Sequence, residues 1–422
     1  MTGAGTKRVL LVAFHYPPDL SSSGVLRTLK FTRYLPEHGW EPFVLTVREN
    51  CYESTDLALL QQIPAEVEVR RTHAVNTKKT LSFRGRYLRF YTIPDAYIGW
   101  LPFAVRAGLK ISRRSGIDVI YSTSPVASAH LIASILKSLT GRPWAADFRD
   151  PWTEPELAPN PGAPLSRLER GLERHVLRHA DRLIFTTAQL RDYVMAHHPD
   201  VAPEKAVVIP NGYDEEDFLS IGAGAPEPTP IRITHAGLVD ESYRSPRSFL
   251  TALAHLVKSG EIAEDEIRVD FLGGGDYVRS PAFDSLVQGL ELERIVSVQG
   301  RVSYAECLER QARSHILLLL QCGLDTRTLI PAKAFEYLRI GRPILALVPS
   351  SASSELFERV GGARIADPWD AAGIQNAIRE LFVSARAGHW ESSVNRTALQ
   401  SYTRRALTAH LAKELDQLRE AS

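Results

Sequence analysis

The sequence predicts two doubly wound parallel α/β domains joined by a short irregular linker. Short apolar runs alternate with helical patterns, the alternation breaks once, and it then restarts. The runs are continuously apolar, as expected of strands covered by helices on both faces. At 422 residues the chain is also too long for one core.

The first strand is expected at Val9–Phe14, followed by the loop His15–Gly24 and a helix from Val25 to Glu37. Gly39 stops that helix and Pro42–Val47 returns as a strand, which completes a βαβ unit. A second unit runs from Val119–Ser122 through a helix at Ala127–Leu139, ended by Gly141, to Trp144–Phe148. Further strands are expected at Leu183–Thr186 and Ala206–Ile209. The segment Ile221–Pro230 holds three prolines and two glycines without periodicity, and reads as the linker between domains at 1–220 and 231–395. Strands restart at Ile231–His235, Arg268–Leu272, Ile295–Gln299, Ile316–Leu320, Pro343–Leu347 and Ala363–Ile365. The closing helical stretch, 396–422, is long enough to pack back on the first domain.

Fifty basic residues against 49 acidic give a net charge of +1, which makes no case for nucleic acid as a partner. Cys51, Cys307 and Cys322 are scattered, so neither a disulfide framework nor a metal site is expected. The apolar run after Arg8 is too short for a signal peptide, and no window approaches the ~20 apolar residues of a membrane helix. The expectation is a cytoplasmic protein whose membrane contact, if any, is peripheral, on the inner face. The stretch 78–114 carries nine Lys and Arg against one acid, Asp95. With Arg84, Arg86, Arg89 and Trp100 among its basic and aromatic residues, it reads either as a surface for anionic membrane or a phosphorylated lipid, or as an irregular excursion with aromatics packed inward.

Ligands of doubly wound sheets bind beyond the carboxyl ends of the strands. Gly24 opens a helix at that rim and can expose N–H groups to a phosphate. Asp147, Arg149 and Asp150 leave a buried strand there, so they pair together or meet a polar ligand. His130 lies within the helix that follows Ser122. In the second half, Gly237, Gly274 and Arg301 stand at three successive strand ends, where one extended ligand explains the close backbone approach. Lys333 occupies the first turn of a helix opened by Pro331 and closed by Gly341, where the dipole favours an anion. With Arg244 it supplies cations for phosphates, and Glu336, one turn on, can accept from sugar hydroxyls.

Taken in order, Tyr16-Pro17-Pro18 with Ser23-Gly24 and Arg27, Asp147-Phe148-Arg149-Asp150-Pro151-Trp152, Val208–Asp214, Leu272–Gly275, Gly300-Arg301-Val302 and the Lys333–Glu336 helix resemble the GT-B glycosyltransferases. Within them the resemblance is to the retaining family 4 enzymes of bacterial polysaccharide and glycolipid assembly. It implies two Rossmann-like domains facing across a cleft, the first for an acceptor and the second for a nucleotide-sugar donor, without metal or other cofactor. Glu336 matches the second glutamate of the family's E-x7-E motif and would hold the ribose, while Lys333 and Arg244 would neutralise the diphosphate. Gly24 would add N–H groups, and the Asp147–Asp150 loop matches the position where relatives carry a histidine facing the sugar. The chain departs from the pattern at Thr328, where the first glutamate would stand, and has no histidine in the Asp147–Asp150 loop. The expected activity is transfer of a sugar from a UDP-sugar to a saccharide or lipid-linked acceptor with retention. The alternatives are a UDP-sugar 2-epimerase on the same fold and a non-catalytic homologue bound to membrane through 78–114.

Overall fold

A computed structural model describes residues 6–21, 24–80, 89–154, 162–219, 221–222, 224 and 226–422. The chain divides into two compact units, Met1–Pro210 with Arg404–Ser422, and Asn211–Thr403.

The first unit holds a seven-stranded sheet of β1 (Lys7–Ala13), β2 (Trp40–Val47), β3 (Glu68–Thr72), β4 (Val119–Thr123), β5 (Trp144–Phe148), β6 (Arg182–Phe185) and β7 (Ala206–Val208), in the order β3-β2-β1-β4-β5-β6-β7. Every pairing is parallel. The second unit holds β8 (Ile231–Leu238), β9 (Ile267–Gly274), β10 (Val296–Gln299), β11 (Ile316–Leu320), β12 (Ile344–Leu347) and β13 (Ala363–Ala366), in the order β10-β9-β8-β11-β12-β13, again parallel throughout. Strand order therefore reverses between β1 and β4 in one sheet and between β8 and β11 in the other. Adjacent connections leave such a point in opposite directions, which opens a crevice at the carboxyl ends.

Both faces of each sheet are buried, and that is why the strands read as unbroken apolar runs. In the second unit Leu318, Leu320, Leu345 and Leu347 enter one core while Leu317, Leu319, Ile344 and Ala346 enter the other. In the first unit Val9, Leu11, Val119 and Tyr121 pack with Phe31 and Leu35 and with Leu407, Leu411, Leu415 and Leu418 of the final helix. Leu10, Val12 and Ile120 are equally buried on the opposite face.

Two boundaries differ from the sequence expectation. The second unit begins at Asn211, not beyond 230, because Tyr213 and Phe218 sit in its core and the Tyr213 N–H donates to the Tyr402 carbonyl at 3.1 Å. Of the stretch 396–422, only the helix Arg404–Glu420 joins the first unit; the short helix Arg396–Gln400 stays in the second, anchored by Leu399. Strand β3 had no counterpart in the sequence reading.

Candidate active site

In the first unit the switch point is framed by β1, β4 and β5. The helix Gly24–Tyr34, α1, starts beside it. Arg27 in its first turn is fully buried and donates from Nε and Nη2 to the two carboxylate oxygens of Asp147, at 2.9 and 2.8 Å. It also donates to the carbonyls of Ile209 and Pro210, at 2.9 and 2.7 Å. Asp147 accepts further bonds from the Tyr121 hydroxyl at 2.6 Å and from Thr123, its register partner on β4, at 2.9 Å. Burial alone would push the Asp147 carboxyl up, but the Arg27 guanidinium and the two hydroxyl donors hold it below the usual carboxylate range. A carboxylate with this many partners and no exposed surface cannot also polarise a sugar hydroxyl. Asp147, expected to be catalytic, is a scaffold residue that locks α1 onto the sheet.

Arg149, two residues on, is also buried; its backbone N–H donates to Ser124 Oγ at 3.0 Å and its Nε to the Ser124 carbonyl. Its guanidinium lies against Gly24: a Cβ there would be 1.5 Å from Nη1, so a larger residue would displace the guanidinium. Asp150 is partly exposed and attracts Arg149 through its charge.

His130 and Trp100, read as acceptor or membrane candidates, are both core residues. His130 is bonded to Ser122 Oγ at 2.7 Å and packs on Phe148 with ring centroids 4.7 Å apart; burial pushes it down to about 3, so it is neutral. The Trp100 indole is fully buried and donates to Thr72 Oγ1 at 2.8 Å, which leaves it nothing to offer a membrane. Arg84 and Arg86 lie outside the described residues, as does the Arg89 side chain.

In the second unit, β8 and β9 run in register so that Gly237 stands beside Gly273 and Leu238 beside Gly274. The helix Ala332–Ile340 follows β11 and is pinned there by Tyr337, whose hydroxyl accepts from the Ala236 N–H at 2.9 Å. That bond sets Lys333, one turn earlier, over Gly237, whose φ of +106° and approach to Lys333 Nζ (2.8 Å from where a Cβ would be) both require glycine. Lys333 Nζ donates to His235 Nε2 at 3.3 Å, and His235 Nδ1 donates to the Leu318 carbonyl at 2.9 Å. Burial and the neighbouring lysine keep His235 neutral, so it can only accept from Lys333. Burial likewise pushes the Lys333 ammonium down to about 7, with Arg244 repelling it and Glu336 drawing it back. Arg244 is held in its loop by Asp240, which accepts from its backbone N–H at 3.2 Å and its Nη1 at 3.3 Å. Glu336 accepts from the Tyr304 hydroxyl at 2.9 Å. Arg301, with Gly237, Gly273, Gly275 and Val302, lines a cavity of about 220 Å³ at the same rim. Gly274 is closed over by Val278.

Gly237, Arg244, Lys333 and Glu336 are thus brought into one neighbourhood of the second unit. What the sequence reading missed is the supporting layer: His235, Tyr337 and Tyr304 below Lys333 and Glu336, and the pairing of Arg27 with Asp147. His235 gave a signal as an imidazole inside an apolar strand end, and Arg27 stood in the motif beside Gly24 without its partner being visible.

Residues 24–212 match the glycosyl transferase 4-like domain. Residues 24–212 therefore carry a family 4-like glycosyl transferase domain. Several solved structures share the fold of the whole chain. Sucrose-phosphate synthase of Thermosynechococcus elongatus aligns over 99% of this chain and 100% of its own, with a TM-score of 0.66 at 16% identity. Anabaena HepE in complex with UDP aligns over 97% and 100%, also at 0.66 and 16%. A glycosyltransferase of Rickettsia africae aligns over 99% and 100%, at 0.65 and 12%. No curated protein matches the chain in sequence.

Proposed function

We propose that the chain is a glycosyltransferase that moves a sugar from a UDP-sugar to a saccharide or lipid-linked acceptor with retention of configuration, in cell-surface polysaccharide or glycolipid assembly. The observation that carries the reading is the Lys333–Glu336 turn. It sets a cation with a neutral histidine behind it and a carboxylate three residues on, at the switch point of a sheet whose glycines admit close approach. A diphosphate suits Lys333 and Arg244, and ribose hydroxyls suit Glu336. That Anabaena HepE is solved with UDP and with UDP-glucose supports the choice of nucleotide.

In the reaction the bond from the anomeric carbon to the diphosphate oxygen breaks. The acceptor oxygen bonds the same face of that carbon, and its proton passes to the leaving diphosphate. Lys333 and Arg244 then stabilise the charge that develops on the leaving group, and catalysis is positioning plus electrostatics. With both cations supplied by the chain, the reading needs no metal or other cofactor, and activity is expected to survive chelation by EDTA.

We place the protein in the cytoplasm, on the inner face of the membrane. The helix Leu101–Ser115 has no acidic residue; it exposes Phe103 with Arg106, Lys110 and Arg113, and Phe90 and Tyr91 are exposed nearby in sequence. Sedimentation with phosphatidylglycerol vesicles but not with phosphatidylcholine vesicles is the expected result.

The test of the donor assignment is calorimetry with a panel of nucleotide sugars, followed by release of UDP without acceptor. Donor affinity indifferent to both Glu336→Ala and Lys333→Ala would sink it.

A further inference from the structure

One face of the second sheet changes character part-way along its strands. Ala236, Leu272, Leu317 and Leu319 on that face are apolar and share a core with Leu308 of the helix Tyr304–Ala312. Two residues earlier on β8 and β9, and so on the same face, stand Thr234 and Asp270, which are register partners, and Arg232 precedes Thr234 by two. Asp270 is 5% exposed, and its Oδ2 accepts from Arg232 Nη1. Polar and charged groups are costly inside a sheet layer, so they stand there only where polar partners meet them. These residues line a cavity of about 480 Å³, together with Gln299 of β10, Glu227, and Arg310 and Arg313 at the carboxyl end of the helix.

The lining divides by chemistry. Asp270 and Gln299, from adjacent strands, offer a carboxylate and an amide, while the Thr234 hydroxyl is bonded to Ser314 Oγ at 2.6 Å. Arg310 and Arg313 each bond a glutamate one turn back on the helix, with Arg310 Nη2 donating to Glu306 at 2.7 Å and Arg313 Nη2 to Glu309 at 2.6 Å. All four of those side chains are more than a third exposed. Exposed pairs at this spacing are weak, and a dianion that takes bidentate contacts outcompetes them. A carboxylate beside an amide suits neighbouring sugar hydroxyls, since one accepts and the other both donates and accepts. The cavity shares Leu272 with the cavity of about 220 Å³ at the rim, and none of its other lining residues.

We propose that this cavity is a second ligand site of the second unit, built for a sugar phosphate. Arg310 and Arg313 hold the phosphate, and Asp270 and Gln299 hold hydroxyls of the sugar, with Arg232 fixing the Asp270 carboxylate. None of Lys333, Arg244 and Glu336 lines it, so the site does not rest on the nucleotide-sugar reading.

The experiment is calorimetry on the full chain with glucose 6-phosphate, glucose 1-phosphate, glucose, inorganic phosphate and UDP. The variants are Arg310→Ala combined with Arg313→Ala, Asp270→Asn, and Gln299→Ala. Should Asp270→Asn fail to fold, Gln299→Ala carries the sugar arm. The expected result is that at least one hexose phosphate binds about tenfold tighter than glucose or inorganic phosphate. The arginine double variant weakens that binding about tenfold or more, and the Asp270 and Gln299 variants about fivefold or more. UDP affinity stays within about twofold in every variant, and UDP does not displace the hexose phosphate. The proposal is overturned if neither hexose phosphate binds at millimolar concentration, or if binding stays within about twofold in all folded variants. Displacement of the hexose phosphate by UDP overturns it as well, because the ligand then sits in the rim cavity.

Discussion

Two charged clusters occupy equivalent places in the two sheets and are built on opposite terms. At the β1/β4 switch point, Asp147 and Arg27 saturate one another: the carboxylate takes four side-chain hydrogen bonds and the guanidinium donates four. At the β8/β11 switch point, Lys333 has a neutral imidazole as its partner and is held near neutrality by burial. A charge with every lone pair or proton spent is holding the chain together. A charge kept close to its titration point by burial is the one that a counter-ion would stabilise most. Position at the rim of the sheet does not separate the two cases; the count of partners does.

The largest effect that tests this contrast is on stability. Asp147→Asn leaves Arg27 buried against a neutral amide, and a loss of about 3–5 kcal/mol is expected in denaturant unfolding, with donor affinity of the folded fraction unchanged. Because the Asp147 carboxyl in the folded chain lies below its unfolded value, its contribution is complete above the unfolded value. It is lost as pH falls through the folded value, so the Asn variant is expected to show a shallower acid transition.

Lys333→Ala and Glu336→Ala are expected to do the reverse. Melting is little changed, while UDP-sugar affinity falls about 10- to 100-fold, the worth of one charge-assisted hydrogen bond of roughly 1.5–3 kcal/mol. Equal losses of stability at Lys333 and Asp147 would erase the distinction.

A third effect is on pH. The bound diphosphate favours the charged form of Lys333, which in the free protein is protonated only below about 7. Binding therefore takes up a proton above that pH, and UDP-sugar affinity is expected to fall toward a limit of about tenfold per pH unit as pH rises further. Calorimetry in two buffers of different ionisation enthalpy measures the uptake, and Lys333→Met is expected to abolish it.

The smallest effect belongs to a residue of the basic stretch. Trp100→Phe keeps the ring but loses the indole bond to Thr72, with an expected cost of about 1 kcal/mol and no change in vesicle binding.

These contrasts mark what was legible in the sequence. Strands covered on both faces announce themselves as unbroken apolar runs, so twelve of the thirteen strands among the described residues were readable. Strand β3, Glu-Val-Arg-Arg-Thr at a sheet edge, is one that composition hides. Gly237, Lys333 and Glu336, which the fold brings into one neighbourhood, stood out in the sequence because each breaks or sharpens a local rule: a glycine at a strand end, a cation in a first helical turn, a carboxylate one turn on. Asp147 was misread because its partner lies 120 residues away, and local sequence does not show that a rim carboxylate is already spent. Trp100 was misplaced for a similar reason. In an irregular stretch rich in aromatics and arginines, no periodicity tells which rings turn inward.

The final helix, Arg404–Glu420, has a consequence for the order in which the molecule can be made. Its leucines Leu407, Leu411, Leu415 and Leu418 complete a core begun by Val9, Leu11 and Phe31, and Asp416 accepts from Lys7 at 2.5 Å and from the Trp40 indole at 3.0 Å. The first unit to leave the ribosome is therefore the last that can be finished. Throughout synthesis of Asn211–Thr403 its sheet carries an apolar face covered only in part, by Phe31 and Leu35, and a chain stopped before Arg404 keeps the rest of that face open for good.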